Sequence, residues 1–395
     1  MMIRTFPVHA SDSMIRRTTR AMGALLFFAV APLPAASAQG TISMLGFGYP
    51  VGSGSTRVNG TAGAFAEFDA LTPSNPASLG GVMRTVIGVQ AEPELRTLTF
   101  GGVSERNTLQ RVPLLMLVLP AGRGVAIGLS GTSFLDRSYS TITTGNVLID
   151  GNTVTTNDVN DVRGAIGDLR AAAGWRVNTR LRVGVAGHLF TGEHIVARER
   201  TFADSLQFGT VLDSSRVTFF GTALSLGGEV AIGKGLAAMA SFRKGNGLDS
   251  RIRDTVRTAA NVPDRFGAGL RYDGIAGSVF AVSMEQVGWS KMSGLGSDQF
   301  TSNDAMNYRA GAEVSGPRLR GSALLIRAGF ARNDLPFGIV MQRVRETRLS
   351  AGIGLPIARD DASLDLSIQR ANRTLVGGTA KEAAWLLGIG IQVRP

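Results

Sequence analysis

Apolar and polar residues alternate with a period of two through most of the chain beyond residue 84, as in strands whose two faces meet unlike surroundings. Between Thr218 and Ile232, Phe220, Leu224, Leu226, Val230 and Ile232 share one face, and Gly221, Ala223, Ser225, Gly227 and Glu229 the other. Leu181, Val183, Val185 and Leu189 oppose Arg182, Gly184, Ala186 and His188 in the same way. Leu364, Leu366 and Ile368 oppose Asp365, Ser367 and Gln369, and Trp385, Leu387, Ile389, Ile391 and Val393 oppose Leu386, Gly388, Gly390 and Gln392. Turn-forming residues at 120–123, 178–179, 233–234, 273–277, 316–318 and 358–361 join these runs in pairs. Six hairpins, with one strand before them near 84–104 and one after them near 382–394, predict about 14 strands.

Longer polar segments separate the hairpins, at roughly 105–111, 136–162, 192–215, 246–262, 289–305, 332–344 and 373–381. Short turns alternating with long loops predict an all-β transmembrane antiparallel β-barrel over 84–395. Closure pairs every backbone donor and acceptor and leaves no edge in hydrocarbon. Burying Arg182, Glu229 or Asp365 in lipid would cost about 2–4 kcal/mol for a basic group, less for an acidic one. The leucine-rich faces therefore point outward and the small and charged residues inward. Trp289 and Trp385 are expected near outer strand ends, Trp175 and Tyr272 near periplasmic ends, as interfacial girdles. A soluble sandwich or solenoid would also alternate, but no fixed repeat of residue identity is present, and neither needs the regular change from short to long connections.

The N-terminus changes the picture. Residues 1–38 read as a cleaved export signal, with Arg16, Arg17 and Arg20, then the apolar run Ala21–Ala31, then the small-x-small site Ala36-Ser37-Ala38. This points to the bacterial outer membrane. Residues 39–83 lack alternation, and a 14-stranded cylinder has more room than its own side chains fill. The segment is expected to fold inward as a hatch, with Pro73 and Pro76 fixing backbone angles and Gly60, Ala62, Gly63, Ala64 and Ala77 allowing close approach to the wall.

Composition mainly excludes. With no cysteine there is no disulfide, thiolate metal site or cysteine nucleophile. The formal charge of +11 falls to +8 once Arg4, Arg16, Arg17, Arg20 and Asp12 leave with the signal. The remaining cations are dispersed, which does not suit nucleic acid. His188 and His194 are accompanied by no nucleophile elbow, so His188 is expected to make a lumen hydrogen bond rather than to catalyse. Their spacing does not make a metal site, and GSGSTRVNG (52–60) lacks the Lys-Ser/Thr of a phosphate loop. No cofactor is expected.

An ordered set of short segments resembles the FadL family of outer-membrane transporters for long-chain fatty acids and other hydrophobic compounds. It comprises Gly63-Ala64-Phe65-Ala66, Asp69-Ala70 and Asn75-Pro76-Ala77, then RVPLLMLVLPAGRGVAIGLSG (111–131), VPDRFGAGLRYDG (262–274), EQVGWSKMS (285–293), DAMNYRAGAEV (304–314), LLIRAGFARNDLPFG (324–338) and RLSAGIGLPI (348–357). The chain departs from that pattern at Glu67-Phe68-Asp69 and in its last residues, Gln392-Val393-Arg394-Pro395, where many such barrels end on an aromatic residue.

The resemblance implies passive uptake of a hydrophobic small molecule, gated by a hatch in which Asp69, Asn75, Pro76 and Ala77 act, with lipid and the barrel-assembly machinery as partners. Asn75 is either a latch bonded to the wall or an ordinary Asn-Pro turn. Leu114, Met116 and Val118, in a run apolar on both faces, either line the lumen or pack on the hatch. Arg182, His188, Glu229 and Arg327 are the polar lumen candidates. A general porin and a non-transport barrel serving assembly or secretion are the alternatives.

Overall fold

The computed structural model describes residues 48–395 except 53, 101–102, 204–206, 254, 296–299, 320, 340–341, 358–360 and 376–379. The expected export signal lies outside the described residues, as do residues 39–47 of the expected hatch.

Fourteen strands form the wall. They are β1 (Val86–Phe100), β2 (Val103–Gly122), β3 (Val125–Asp136), β4 (Asn152–Arg176), β5 (Leu181–Phe202), β6 (Val211–Gly233) and β7 (Leu236–Ile252). The second half is β8 (Arg265–Ile275), β9 (Ser278–Val287), β10 (Ala305–Leu319), β11 (Ser322–Ile339), β12 (Gln342–Ile357), β13 (Ala362–Leu375) and β14 (Ala380–Val393). Each is antiparallel to the next, and β14 closes on β1 with Ile391 opposite Val89. The alternation decides which face is which. Leu115, Leu129, Leu169, Leu224, Leu226, Leu349 and Ile389 are exposed on the outside, while Gln90, Glu94, Arg327, Asp365 and Gln369 are buried inside. Such a surface is stable only where hydrocarbon solvates it.

Several polar segments expected as loops are strand. Tyr139–Ile149 forms a hairpin with the outer half of β4, Thr255–Asn261 folds back on β7, and Phe300–Ser302 pairs with β11. β2 runs through the segment expected as the first loop, 105–111. Beyond the lipid both faces of a strand meet water, so alternation stops without the strand stopping; threonines such as Thr143 and Thr144 still favour it. The turn expected at 316–318 also differs. β10 runs on to Leu319, with Pro317 absorbed in a shift of register between Ser315 and Arg318.

Trp175, Trp385 and Tyr272 are exposed on the outer surface. Trp289 is not a girdle residue. It opens a short 3-10 helix, Trp289–Leu295, after the chain leaves the wall at Gly288, and it is buried against Phe134 at 5.4 Å between ring centroids.

Candidate functional site

Residues 55–82 lie against the inner face of the wall, and local chemistry sets their path. Ser55 caps the short helix α1 (Thr56–Asn59), accepting from Val58 N at 3.2 Å. Asp69 braces this cap, accepting from Ser55 Oγ at 2.7 Å and Thr72 Oγ1 at 2.8 Å. Asn75 caps the 3-10 helix Pro76–Gly81, its Oδ1 accepting from Ala77 N at 2.9 Å. Its Nδ2 also donates, over longer distances, to the wall carbonyls of Gly228 (3.5 Å) and Ala240 (3.4 Å). Asn75 thus makes both the turn and the bond to the wall.

The wall meets this turn with glycine. A Cβ at Gly184 would lie 2.4 Å from Pro76 C, and one at Gly174 would lie 2.6 Å from Gly80 N. At Gly329, on the other side of the ring, it would lie 2.2 Å from Thr61 C. Backbone packs on backbone here, and any side chain would force the two apart. Leu114, Met116 and Val118 bury their inward faces with Leu71 and Leu79.

Ion pairs complete the docking. Glu67 pairs with Arg265 and accepts from Ser241 Oγ at 2.7 Å. Arg57 meets Glu313 at 2.7 Å, and Asn59 Nδ2 donates to Glu92 at 2.5 Å. Near the outer end, the guanidinium groups of Arg96, Arg111 and Arg373 lie 5.0, 5.4 and 4.6 Å from the centre of the Tyr49 ring. The Tyr49 hydroxyl donates to Glu346 at 3.2 Å. Burial pushes that hydroxyl well above its ordinary pKa, although Arg373 pulls the other way. Three of the four polar lumen candidates are already paired: Arg182 and Glu229 with each other at 2.6 Å, and Arg327 with Glu313 at 2.7 Å and with Asp365.

His188 belongs to a different group. Its Nδ1 lies 2.9 Å from Asp168 Oδ2 and its Nε2 2.7 Å from Ser225 Oγ. All three residues are buried. Arg170 stands opposite His188 across β4 and β5, and Arg243 opposite Ser225 across β6 and β7. Arg170 is 4% exposed, yet its Nε and Nη2 have no hydrogen-bond partner among the described residues. The Nε of Arg243 has none either. Arg243 stacks over Phe134 and Phe190 at 5.7 and 5.5 Å. Those rings belong to an apolar cluster with Ile166, Phe219, Leu248, Val262 and Trp289, toward the outer ends of the strands. A cavity of about 200 Å³ lies between segment and wall, lined in part by Thr72, Ser74, Phe134, Arg243, Arg265 and Trp289. Among the described residues no group of three or more His, Asp or Glu side chains could hold a metal ion.

Asp168, Arg170, Ser225 and Arg243 had no motif to announce them. Their inward direction was readable from the alternation around DLRAAAGW and LSLGGEV. Their meeting depends on the register of β4 through β7, which no local signal carries.

Solved structures share this architecture. A FadL homologue of Pseudomonas aeruginosa superimposes with a TM-score of 0.59 over 88% of this chain and 99% of its own, at 11% identity. The fold is that of the FadL-type channels. The Pseudomonas putida toluene transporter TodX aligns at a TM-score of 0.56 and 10% identity, covering 87% of this chain and 98% of TodX. The monoaromatic hydrocarbon channel CymD aligns at 0.55 and 12%, covering 88% and 98%. No family model and no curated protein sequence matches the chain. As in any such barrel the crossing is made by strands; among the described residues no helix is long and apolar enough to cross a membrane.

Proposed function

We propose that the chain is an outer-membrane channel for passive uptake of hydrophobic small molecules, with residues 39–83 as its hatch, and that its preferred solute is an apolar chain ending in a carboxylate. The observation that carries the finer part is the pair Arg170 and Arg243. Buried guanidinium N–H groups without partners are costly, at about 1–3 kcal/mol for a neutral group and more for a charged one. A carboxylate would satisfy them with charge-assisted hydrogen bonds. The aromatic cluster beside them suits the tail, each buried CH₂ contributing about 0.8 kcal/mol. A hydrocarbon, the solute named for TodX and CymD, would leave these N–H groups of Arg170 and Arg243 unanswered.

Ligand entering from the outer end would settle between cluster and arginines, and release would follow a shift of the turn that Asn75, Pro76 and Ala77 hold, with Asp69 bracing its base. Packing of residues 55–82 on the inner wall argues against a general porin, which needs an open polar bore. The test is uptake of labelled oleate by a transporter-deficient strain carrying the chain, against Arg170→Met and Arg243→Met. The wild type should restore uptake and each variant should lower it about tenfold or more. A correctly inserted wild type that takes up no oleate overturns the reading.

A further inference from the structure

We propose that Ser225, His188 and Asp168 form a hydrolytic triad that cleaves carboxylic esters of apolar acyl chains inside the barrel. The proposal rests on the channel reading for delivery of its substrate. Three neighbouring strands supply the parts: Asp168 from β4, His188 from β5 and Ser225 from β6. Asp168 accepts the Nδ1–H of His188 at 2.9 Å, which fixes the tautomer and leaves the Nε2 lone pair facing Ser225. The Ser225 hydroxyl then donates to Nε2 at 2.7 Å. Nucleophile, base and orienting carboxylate are each in hydrogen-bond reach, the arrangement that activates a serine.

The surroundings supply what remains. Backbone N–H groups in the middle of a barrel wall are spent on the strand ladder, so they cannot hold a developing oxyanion. Arg170 and Arg243 stand in register with His188 and Ser225 and keep N–H groups unspent. They are the donors for that charge. The Phe190 ring stacks on His188 at 6.1 Å and leads into the apolar cluster, where an acyl chain would lie. Its cations leave this network open: N–H groups of Arg170 and Arg243 have no partner among the described residues.

The chemistry closes with water as co-reactant. The Ser225 oxygen bonds to the ester carbonyl carbon, the carbonyl electron pair moves to its oxygen, and the serine proton passes to His188 Nε2. The tetrahedral species collapses, the bond to the alkoxy oxygen breaks, and that oxygen leaves as an alcohol carrying the proton from His188. Water then adds to the acyl-serine, giving its proton to His188. In the second collapse the bond to the Ser225 oxygen breaks, that oxygen takes the proton back from His188, and the acid freed releases its own proton to water as it becomes the carboxylate.

The experiment uses the purified full chain in detergent, with p-nitrophenyl octanoate as substrate and an alkyl fluorophosphonate as probe. Heat-modifiable migration on gels reports a folded barrel. The wild type should release nitrophenol and carry the phosphonate on Ser225, located by mass spectrometry. Ser225→Ala and His188→Gln should lose hydrolysis by about a hundredfold or more. Asp168→Asn should remain folded but turn over more slowly, with the alkaline rise of its pH–rate profile displaced. A folded wild type with Ser225 unlabelled, or Ser225→Ala with full activity, overturns the proposal; the first result needs no variant to fold. Oleate uptake by the wild type without hydrolysis removes the triad and keeps the channel. Hydrolysis without uptake removes the channel and keeps the triad.

Discussion

Asn75 occupies the space that a side chain at Gly227 would need: a Cβ there would sit 1.9 Å from Asn75 Oδ1 and 2.9 Å from Pro76 Cδ. Gly227→Ala should therefore push the 76–81 turn off the wall and raise single-channel conductance in planar bilayers. Gly187→Ala is the control, since a Cβ there meets nothing within 4 Å. Equal conductance in the two variants would remove the steric argument.

The two jobs of Asn75 can be separated. Asn75→Asp keeps an oxygen for the Ala77 N–H but loses the Nδ2 donor to Gly228 and Ala240. Asn75→Ala loses both, the cap alone being worth about 1 kcal/mol. Amide exchange at Ala77 and Ser78 should be fastest in Asn75→Ala, intermediate in Asn75→Asp and slowest in the wild type.

Arg373 holds three carboxylates together. It meets Glu94 at 2.9 Å and Glu346 at 2.7 Å, pairs with Glu382, and is fully buried. Arg373→Met should destabilise the barrel by about 3–5 kcal/mol, because the glutamates stay buried without their counter-charge. Urea unfolding in detergent, followed by tryptophan fluorescence, measures it. A loss under about 1 kcal/mol would mean that neighbouring Arg96 and Arg111 take over the charge.

The chain has 3 tryptophans, and the structure sorts them. Trp175 and Trp385 are 48% and 43% exposed on the outer surface, whereas Trp289 is buried against Phe134. In single-tryptophan variants reconstituted with brominated lipid, Trp175 and Trp385 should be quenched and Trp289 should not. Quenching of Trp289 alone would invert the assigned faces.

Outside the membrane, Asp264 meets Lys291 at 2.7 Å and Lys244 at 2.9 Å. Burial raises the pKa of its carboxyl, but the two ammonium groups and the Gly245 N–H outweigh that and hold it at about 2. An unfolded aspartate titrates near 4. The cluster therefore stabilises the fold fully above about pH 4 and loses that contribution as pH falls toward 2. The difference in thermal midpoint between wild type and Asp264→Asn should be constant from pH 7 to 5 and shrink below 4. A difference that grows on acidification would contradict the assigned sign.

The wall was legible because lipid imposes a rule on every second residue: Leu224 and Leu226 must face out and Ser225 and Gly227 in. Where that rule lapses, past the membrane edge, strands such as Tyr139–Ile149 were read as loop. Trp289 was misplaced for a related reason. Its position followed from counting along β9, and nothing local showed that the chain leaves the wall at Gly288. Asn75-Pro76-Ala77 could be read as a turn from its own residues, but its partners, Gly184 and Gly227, are more than a hundred residues away. The charged and hydrogen-bonded groupings were the least visible. Arg373 with Glu94, and His188 with Ser225, meet only through strand register, which hydrophobic alternation constrains but does not spell out.

The glycines that receive the 76–81 turn have a consequence for biogenesis. Gly174, Gly184 and Gly227 lie on three successive strands and offer contact only to a backbone already seated among them. β1 begins four residues after Val82, and Arg84 is tied to Asp361 at 2.6 Å, beside the seam where β14 meets β1. The cylinder is thus best assembled like a cask around a mandrel, with its last seam zipped only after the inner piece has been threaded.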